Sequence, residues 1–157
     1  MLQARLGETT ESSSSAEDEV VAILIPADGV ERAWAVAWPL LERAVALTKK
    51  VELEEIYTQL EDGWMQLWLA YCPAEKTVLG AATTEIIAHR NTWRVASVIM
   101  LGGSELYRWE HLMAKIEEWA QVTERCDAIE VHGRKGWARR PMMKDYKESY
   151  RVFAKEF

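Results

Sequence analysis

The sequence predicts a single α+β domain in which a mixed, mostly antiparallel β-sheet is flanked by helices. Short apolar runs of strand length alternate with stretches whose apolar residues recur every three or four positions, the spacing of an amphipathic helix. Three of the runs follow one another with only short links, which join antiparallel neighbours. The predicted order is β-α-α-β-β-β-α-β-α-β. The chain has 157 residues, 49% of them hydrophobic, which is enough for one compact core.

The first third of the predicted domain consists of a strand and two helices. Residues 20–25 are continuously apolar and end at a proline, which predicts a buried strand. Asp28 is suited to cap the helix that follows, and the spacing of apolar residues extends this helix to about Leu47. Because Pro39 lacks a backbone N–H and clashes with the preceding turn, we expect a kink or a break one residue before it. A second helix is predicted over residues 53–60.

Three strands and one long helix follow. The strands are predicted over residues 65–71, 78–88 and 93–101, and the short links between them predict antiparallel pairing. The spacing of apolar residues becomes helical again over residues 106–120, which predicts the clearest helix of the chain. Residues 128–132 predict a further strand, which must lie parallel to the one before it because a helix connects the two.

The remaining residues are strongly basic. Residues 133–143 are predicted to be irregular or helical, and Tyr150 to Phe153 are predicted to form a last strand. Residues 132–157 carry eight bases and three acids, whereas residues 1–19 carry one base and five acids. The formal charge of the whole chain is -6, so we expect no single basic surface for nucleic acid.

The first nineteen residues differ in composition from the rest. They are acidic and serine-rich with few apolar residues, so we expect them to be disordered or ordered by a partner, and the folded domain to span residues 20–157. No apolar run is long enough to cross a membrane and no signal peptide is recognised, which predicts a soluble protein of the cytoplasm. Cys72 and Cys126 show neither CxxC spacing nor a nearby histidine pair, so we predict buried thiols and no metal site.

The order of these elements resembles the fold of the GNAT acyltransferases. The resemblance rests on residues 95–103 with the helix after them, on the strand at 127–132, and on Asp-Tyr-Lys-Glu at 145–148. The last of these takes the place of a Gly-Phe step that usually leads into the family's final hairpin. The sequences Gly-Arg-Lys-Gly-Trp at 133–137 and Met-Gln-Leu-Trp at 65–68 are similar to small GNAT-like proteins of tailed bacteriophages. The resemblance implies a GNAT-like domain located in the cytoplasm of a bacterial host or incorporated in a virion.

The resemblance also implies an acetyl-CoA site between the fourth strand and the long helix. GNAT enzymes place a glycine-rich loop there, because bare backbone N–H groups at a helix terminus can surround phosphate oxygens. In this chain Tyr107 and Trp109 occupy the places of the last two glycines, and Glu105 and Glu110 bring negative charge. We therefore expect a packed helix start and no cofactor, with acetyl-CoA as the alternative. The residues that would contact acetyl-CoA if it binds are Gly102, Gly103, Ser104 and Arg108.

The catalytic residues of the family have no clear counterparts in this sequence. Counting back from Tyr146, which replaces the family's phenylalanine, the tyrosine that acts as general acid falls at Pro141, which has no proton to donate. The general base is variable in the family, and residue type alone suggests four candidates. They are Glu85, Glu130, His111 and His132.

A short basic sequence follows the predicted parallel strand. It interleaves positive charges with an aromatic residue, which suits the phosphates and bases of nucleic acid as well as an acidic protein surface. We expect a protein partner rather than nucleic acid, and no membrane. The candidate contact residues are Arg134, Lys135, Trp137, Arg139 and Arg140.

Two functions remain open from the sequence. The first is a non-catalytic GNAT-fold protein that serves as a structural or assembly component, associated with a phage virion, through protein–protein contacts. The second is an N-acyltransferase that moves acetyl from acetyl-CoA to an amine. The side chains of Tyr107, Trp109 and Pro141 favour the first.

Overall fold

The computed structural model describes residues 19–157 and shows the predicted α+β class. Residues 1–18, which hold nearly all of the predicted acidic tail, lie outside the described residues, so the boundary between tail and domain stays a prediction. Five strands form one sheet in the order in which they occur in the sequence. They are β1 (Val21–Ile25), β2 (Met65–Cys72), β3 (Thr77–Ala88), β4 (Arg94–Gly103) and β5 (Ala128–Val131).

The pairing of the strands agrees with the predicted pairing. β1 to β4 are antiparallel neighbours, and β5 lies parallel to β4, as the helical connection between them requires. One residue of β4, Ile99, is a bulge, because Val98 pairs with Thr84 whereas Met100 pairs with Thr83. β5 ends beside Val98, and the remainder of β4 has no strand on that side within the described residues. The pairing of β4 with β5 therefore stops before β4 ends, which leaves an opening in the sheet beside the last residues of β4.

Two helices cover one face of the sheet. They are α1 (Val30–Ala46) and α2 (Leu53–Glu61). The predicted break at Pro39 is wrong, because α1 continues through it and the flanking residues Ala37 and Leu41 are fully buried against the sheet. The predicted cap at Asp28 is also wrong. Gly29 precedes the helix, and Asp28 lies in a tight turn closed by a bond from the Gly29 N–H to the Pro26 carbonyl.

The long helix predicted over residues 106–120 is divided into short pieces on the opposite face of the sheet. These are α3 (Leu106–Trp109), a 3-10 turn (Glu110–Leu112), α4 (Met113–Glu118) and a π-helical turn (Trp119–Thr123). The chain leaves the regular helix at Trp109, whose φ is -133°, and this departure turns the indole toward the sheet. Packing of one large side chain thus overrides the helical spacing. We call residues 106–123 the crossover segment.

The chain after β5 contains no further strand in the described residues. Two 3-10 turns, Lys135–Arg139 and Pro141–Met143, occupy the basic stretch that was predicted to be irregular or helical. The strand predicted from Tyr150 to Phe153 is wrong, because this stretch forms no ladder and Phe153 is 90% exposed. Among residues 19–157, no helix combines the length and apolar character that a membrane span requires.

Candidate functional site

The candidate cofactor loop lies where β4 ends and α3 begins. A Cβ atom on Gly102 would lie 2.0 Å from the carbonyl oxygen of Leu40 in α1, so only glycine allows the helix to approach β4 this closely. Gly103 has a φ of +145°, and a Cβ atom there would lie 2.2 Å from the carbonyl oxygen of Leu79 in β3. The N–H of Ser104 donates to the same carbonyl at 2.9 Å. Backbone packing therefore accounts for both glycines without a ligand.

The two aromatic residues of the loop lie in opposite environments. The side chain of Tyr107 is 70% exposed, whereas Trp109 is buried beneath the loop. The Trp109 ring lies directly over Gly80, where an added Cβ would come within 2.4 Å of it, and its indole N–H donates to the Ser104 carbonyl at 2.7 Å. Of the two aromatic residues at the positions of the family's last two loop glycines, only Trp109 has its side chain in the interior of the protein.

Arg108 is held by carboxylates. Its guanidinium donates to both oxygens of Glu75, at 2.9 and 3.2 Å, and to Glu105 at 3.3 Å. The hydrogen bonds to Glu75 raise the pKa of Arg108 above its usual range. A phosphate would have to displace these partners and then remain beside two negative charges. Both terminal nitrogens of the Arg108 guanidinium are therefore already bonded to carboxylates.

The pairing register brings together two of the four candidate bases. Glu85, Ser97 and Glu130 lie directly opposite one another on β3, β4 and β5, and opposite residues point to the same face of a sheet. The two glutamates are therefore separated by two strand spacings, roughly 10 Å between Cα atoms. Ser97 is fully buried, and its hydroxyl has no hydrogen-bond partner among the described residues. The row combines two carboxylates with a buried hydroxyl.

The two histidines are placed differently. His132 lies near Glu130, with 3.8 Å between its Nε2 and the carboxylate oxygen, and both side chains are partly exposed. His111 is an exposed residue of the 3-10 turn on the other face of the sheet. Sequence reasoning proposed these residues by type alone. His111 is separate from the row because it lies in the crossover segment, which packs on the other face of the sheet.

The five candidate contact residues of the basic stretch do not form one surface. Arg134, Lys135 and Arg139 are exposed and make no ion pair with any residue in 19–157. Trp137 is half-buried and packs over Gly133. Arg140 is directed toward Glu110 of the crossover segment. Three cations therefore face solvent.

Arg140 and Glu110 form an ion pair that the sequence analysis did not identify. The guanidinium donates to Glu110 Oε1 at 2.8 Å, and the Glu110 side chain is only 12% exposed. Glu110 Oε2 and Arg140 Nε are buried without a further partner among the described residues. The pair joins the crossover segment to the stretch after β5. Thirty positions separate the two residues, so no local motif could have revealed it.

The described residues contain no cluster suited to a metal. No group of three or more His, Cys, Asp or Glu side chains in residues 19–157 is arranged to hold an ion. Cys72 is a free, buried thiol and Cys126 is a free, half-buried one. Burial raises the pKa of the Cys126 thiol. A raised pKa keeps the thiol protonated and unreactive at neutral pH.

Comparison with solved structures identifies the fold. No protein-family model matches the sequence, and no curated protein is significantly similar to it. An aminoglycoside acetyltransferase from an uncultured soil metagenomic sample superposes with a TM-score of 0.65 at 12% identity, covering 88% of this chain and 96% of that one. The chain has the GNAT fold. A ribosomal-protein-alanine N-acetyltransferase from Brucella melitensis biovar Abortus gives a TM-score of 0.63 at 12% identity, covering 88% and 99% of the two chains. A GNAT family acetyltransferase from Staphylococcus aureus gives 0.59 at 13% identity, with the same coverage of 88% and 99%.

Two positions that the GNAT resemblance singled out lie in the stretch after β5. Pro141 begins the second 3-10 turn. Tyr146 is half-buried, and its hydroxyl donates to Glu117 of α4 at 2.8 Å. Burial, followed by this hydrogen bond, raises the pKa of Tyr146 above its usual value. Its role in the structure is to fasten residues 144–146 to the crossover segment.

Replacing Tyr146 by phenylalanine is expected to lower the free energy of unfolding by about 1.5 kcal/mol at neutral pH, because a hydrogen bond to a carboxylate is lost. The raised pKa means that the folded state favours the protonated phenol. This stabilisation is complete below the unfolded tyrosine pKa of about 10 and is lost as the pH rises through the folded value. Urea unfolding at several pH values should show the difference between the two proteins shrinking above about pH 10. Tyr71→Phe, at another half-buried tyrosine, is the control, and a difference independent of pH would contradict the assignment.

Proposed function

We propose that this chain is a non-catalytic GNAT-fold protein that acts through protein–protein contacts. The observation that carries the proposal is that the protein's own backbone and side chains fill the loop between β4 and α3. Gly102 and Gly103 are packed against backbone carbonyls, and Arg108 is paired with two carboxylates. The pyrophosphate of acetyl-CoA would meet negative charge where it needs hydrogen-bond donors.

The surface proposed for the contact consists of the three exposed cations after β5, Arg134, Lys135 and Arg139. Because they make no ion pair with the described residues, they are available to an acidic protein surface. A virion protein is the proposed partner, on the basis of the resemblance of residues 65–68 and 133–137 to small phage GNAT-like proteins. Nucleic acid is a less favoured partner of the same cations.

Titration calorimetry with acetyl-CoA tests the absence of a cofactor. We expect no heat of binding at ligand concentrations up to about 1 mM, which corresponds to a binding free energy weaker than about -4 kcal/mol. A dissociation constant in the micromolar range would contradict the proposal. The double variant Glu75→Ala, Glu105→Ala releases Arg108 and therefore shows whether these carboxylates are what excludes the anion.

Affinity capture from phage-infected cells tests the partner. We expect the triple variant Arg134→Ala, Lys135→Ala, Arg139→Ala to lose a stoichiometric protein that the unaltered chain retains. The control replaces three exposed cations elsewhere on the surface, Arg32, Lys50 and Arg90, by alanine and should retain it. Capture of nucleic acid in place of a protein would instead indicate that nucleic acid is the partner. Its binding should then depend steeply on salt, and Arg139→Ala and Arg140→Ala should reduce that dependence.

A second candidate, an N-acyltransferase, is supported by the row of Glu85, Ser97 and Glu130. The row lies on the sheet near the β4 bulge and near the opening between β4 and β5. A carboxylate at this place could act as the general base that accepts a proton from an amine substrate. Two different aminoglycoside acetyltransferases are among the proteins whose solved structures have a similar fold, so aminoglycosides are the first amines to test. Acetyl transfer that is lost in Glu130→Gln and kept in Glu118→Gln, an exposed glutamate of α4, would establish this alternative.

A further inference from the structure

The outer edge of β1 lacks the features that usually protect an edge strand. β1 stands at one end of the sheet and has no neighbour on its outer side among residues 19–157. The free N–H and C=O groups of such an edge are a template for another strand, and proteins usually guard them with a lysine, a proline or a bulge. The sequence of β1, Val-Ala-Ile-Leu-Ile, contains no charge and no proline, and its pairing with β2 has no bulge. The edge is therefore open to a second strand.

Apolar side chains of β1 are exposed on both faces of the sheet. Ile23 and Leu24 are each 37% exposed, and consecutive residues of a strand point to opposite faces. Ile23 pairs with Leu69, whose side chain packs on the side of α1 and α2, whereas Leu24 pairs with Trp68, whose ring contacts Trp119 of the crossover segment. A strand along the outer edge of β1 would cover both exposed side chains.

A groove of about 410 Å³ lies beside β1 on the face that carries the crossover segment. Ala22 and Leu24 of β1 form one side of it, and Trp119 and Val122 of the crossover segment line the other. Val122 is 67% exposed, although it is apolar. Because the side chain of Ala22 is small, it leaves room in the groove for a larger apolar side chain from a neighbouring strand.

We propose that two copies of this chain associate edge to edge through β1, with the two strands antiparallel about a two-fold axis at Ile23. This register alone pairs all five residues of both strands: Val21 with Ile25, Ala22 with Leu24, and Ile23 with Ile23. Opposite residues point to the same face, so Leu24 of each copy lies beside Ala22 of the other and enters its groove. The edge is thus complementary to itself, with a large side chain opposite a small one on both sides of the axis.

The charges around the groove are compatible with a second copy. Lys115 and Glu118 line it with side chains 65% and 64% exposed, and a two-fold axis can place the cation of each copy near the anion of the other. Glu19 is the third charged residue of the lining. In the proposed register it lies level with position 27 of the other copy, so the two Glu19 residues are eight strand positions apart, roughly 26 Å. Over that distance salt screens their repulsion.

The proposed contact is small for a specific interface. A strand of five residues is roughly 17 Å long, and contacts below about 1,200 Å² are generally weak. We expect a dissociation constant on the order of 10 µM. Association through β1 does not depend on whether the chain binds acetyl-CoA or a virion protein, and its test needs neither.

Analytical ultracentrifugation tests the dimer. At about 200 µM most of the chain should have twice its monomer mass of 18.0 kDa, and at about 0.5 µM most should be monomer. Ile23→Lys and Ile23→Glu should each be folded by circular dichroism and monomeric at both concentrations, because like charges then face each other at the axis. An equimolar mixture of the two variants should associate at least tenfold more tightly than either alone, because lysine then faces glutamate. The control, Val36→Lys, changes an exposed aliphatic residue of α1 and should dimerise like the unaltered chain.

Hydrogen exchange gives a second readout at the edge itself. The amides of β1 that point away from β2 should exchange about fivefold more slowly at about 200 µM than at about 0.5 µM, because they are bonded only in the dimer. A chain that is monomeric at the higher concentration overturns the proposal. Slow exchange at both concentrations also overturns it, since another part of the same chain would then cover the edge. A dimer that survives both charges at position 23, or variants that do not associate when mixed, would place the contact elsewhere.

Discussion

Gly102→Ala is expected to lower the free energy of unfolding by about 3 kcal/mol or more, or to prevent folding. The added Cβ would lie 2.0 Å from the carbonyl oxygen of Leu40, a backbone atom inside α1 that cannot rotate away. Relief requires the whole helix to move off the sheet, where Ala37 and Leu41 are fully buried. Urea denaturation followed by circular dichroism measures the loss, with an unchanged slope indicating that only stability has changed.

Gly136→Ala is the matched control for this experiment. A Cβ on Gly136 meets no atom within 4 Å, so its effect on stability should be within about 0.5 kcal/mol. If Gly102→Ala were as stable as the control, backbone packing would not explain this glycine. A role in the approach of a ligand to the loop would then become the better explanation, and the proposal of a non-catalytic protein would be weakened.

Trp109→Ala is expected to lower the free energy of unfolding by about 3 to 5 kcal/mol, the usual range for a buried large aromatic side chain. The substitution removes the ring that covers Gly80 and leaves the Ser104 carbonyl without its 2.7 Å hydrogen bond. The loss should appear as a lower denaturation midpoint in urea. Trp109→Phe keeps most of the apolar contact and should lose about half as much.

Tyr107→Ala separates the two aromatic residues of the loop. Its side chain is 70% exposed, and replacement should change stability by less than about 0.5 kcal/mol. Equal losses in Tyr107→Ala and Trp109→Ala would contradict the placement of the indole beneath the loop. The pair of variants also tests whether the cradle is filled by one aromatic side chain or by two.

The strands and the second helix follow from local patterns in the sequence. The predicted bounds of all five strands agree with the structure to within two residues, because each strand is bounded by turn residues or charges. The parallel pairing of β5 was predictable as well, since a helical crossover permits nothing else at that length. These features depend on residues close together in the chain.

Features that depend on distant contacts were not predictable. The apolar stripe over residues 106–120 is consistent with one helix, and only the fit of Trp109 over Gly80 shows why the helix is interrupted. Tyr150 to Phe153 have the composition of a strand, but a strand needs a neighbour, and composition does not name one. Pro39 was expected to kink or break α1, whereas the helix continues through it with Ala37 and Leu41 fully buried.

The candidate site shows the same division. The sequence named Gly102 and Gly103 as candidates for contact with acetyl-CoA, but it could not distinguish a glycine that admits a phosphate from one that admits a neighbouring backbone. Glu85 and Glu130 were candidates by residue type. Their alignment on either side of Ser97 depends on the registers of two strand pairs, one of them containing a bulge.

The contact between Gly102 and the Leu40 carbonyl has a consequence for how the protein can change over time. The distance between α1 and the end of β4 is set by main-chain atoms, which every residue at position 40 possesses. Side chains around this contact can therefore be exchanged without shifting the loop. An inserted or deleted residue in α1 would rotate a side chain into the gap, so the helix tolerates altered composition far better than altered length.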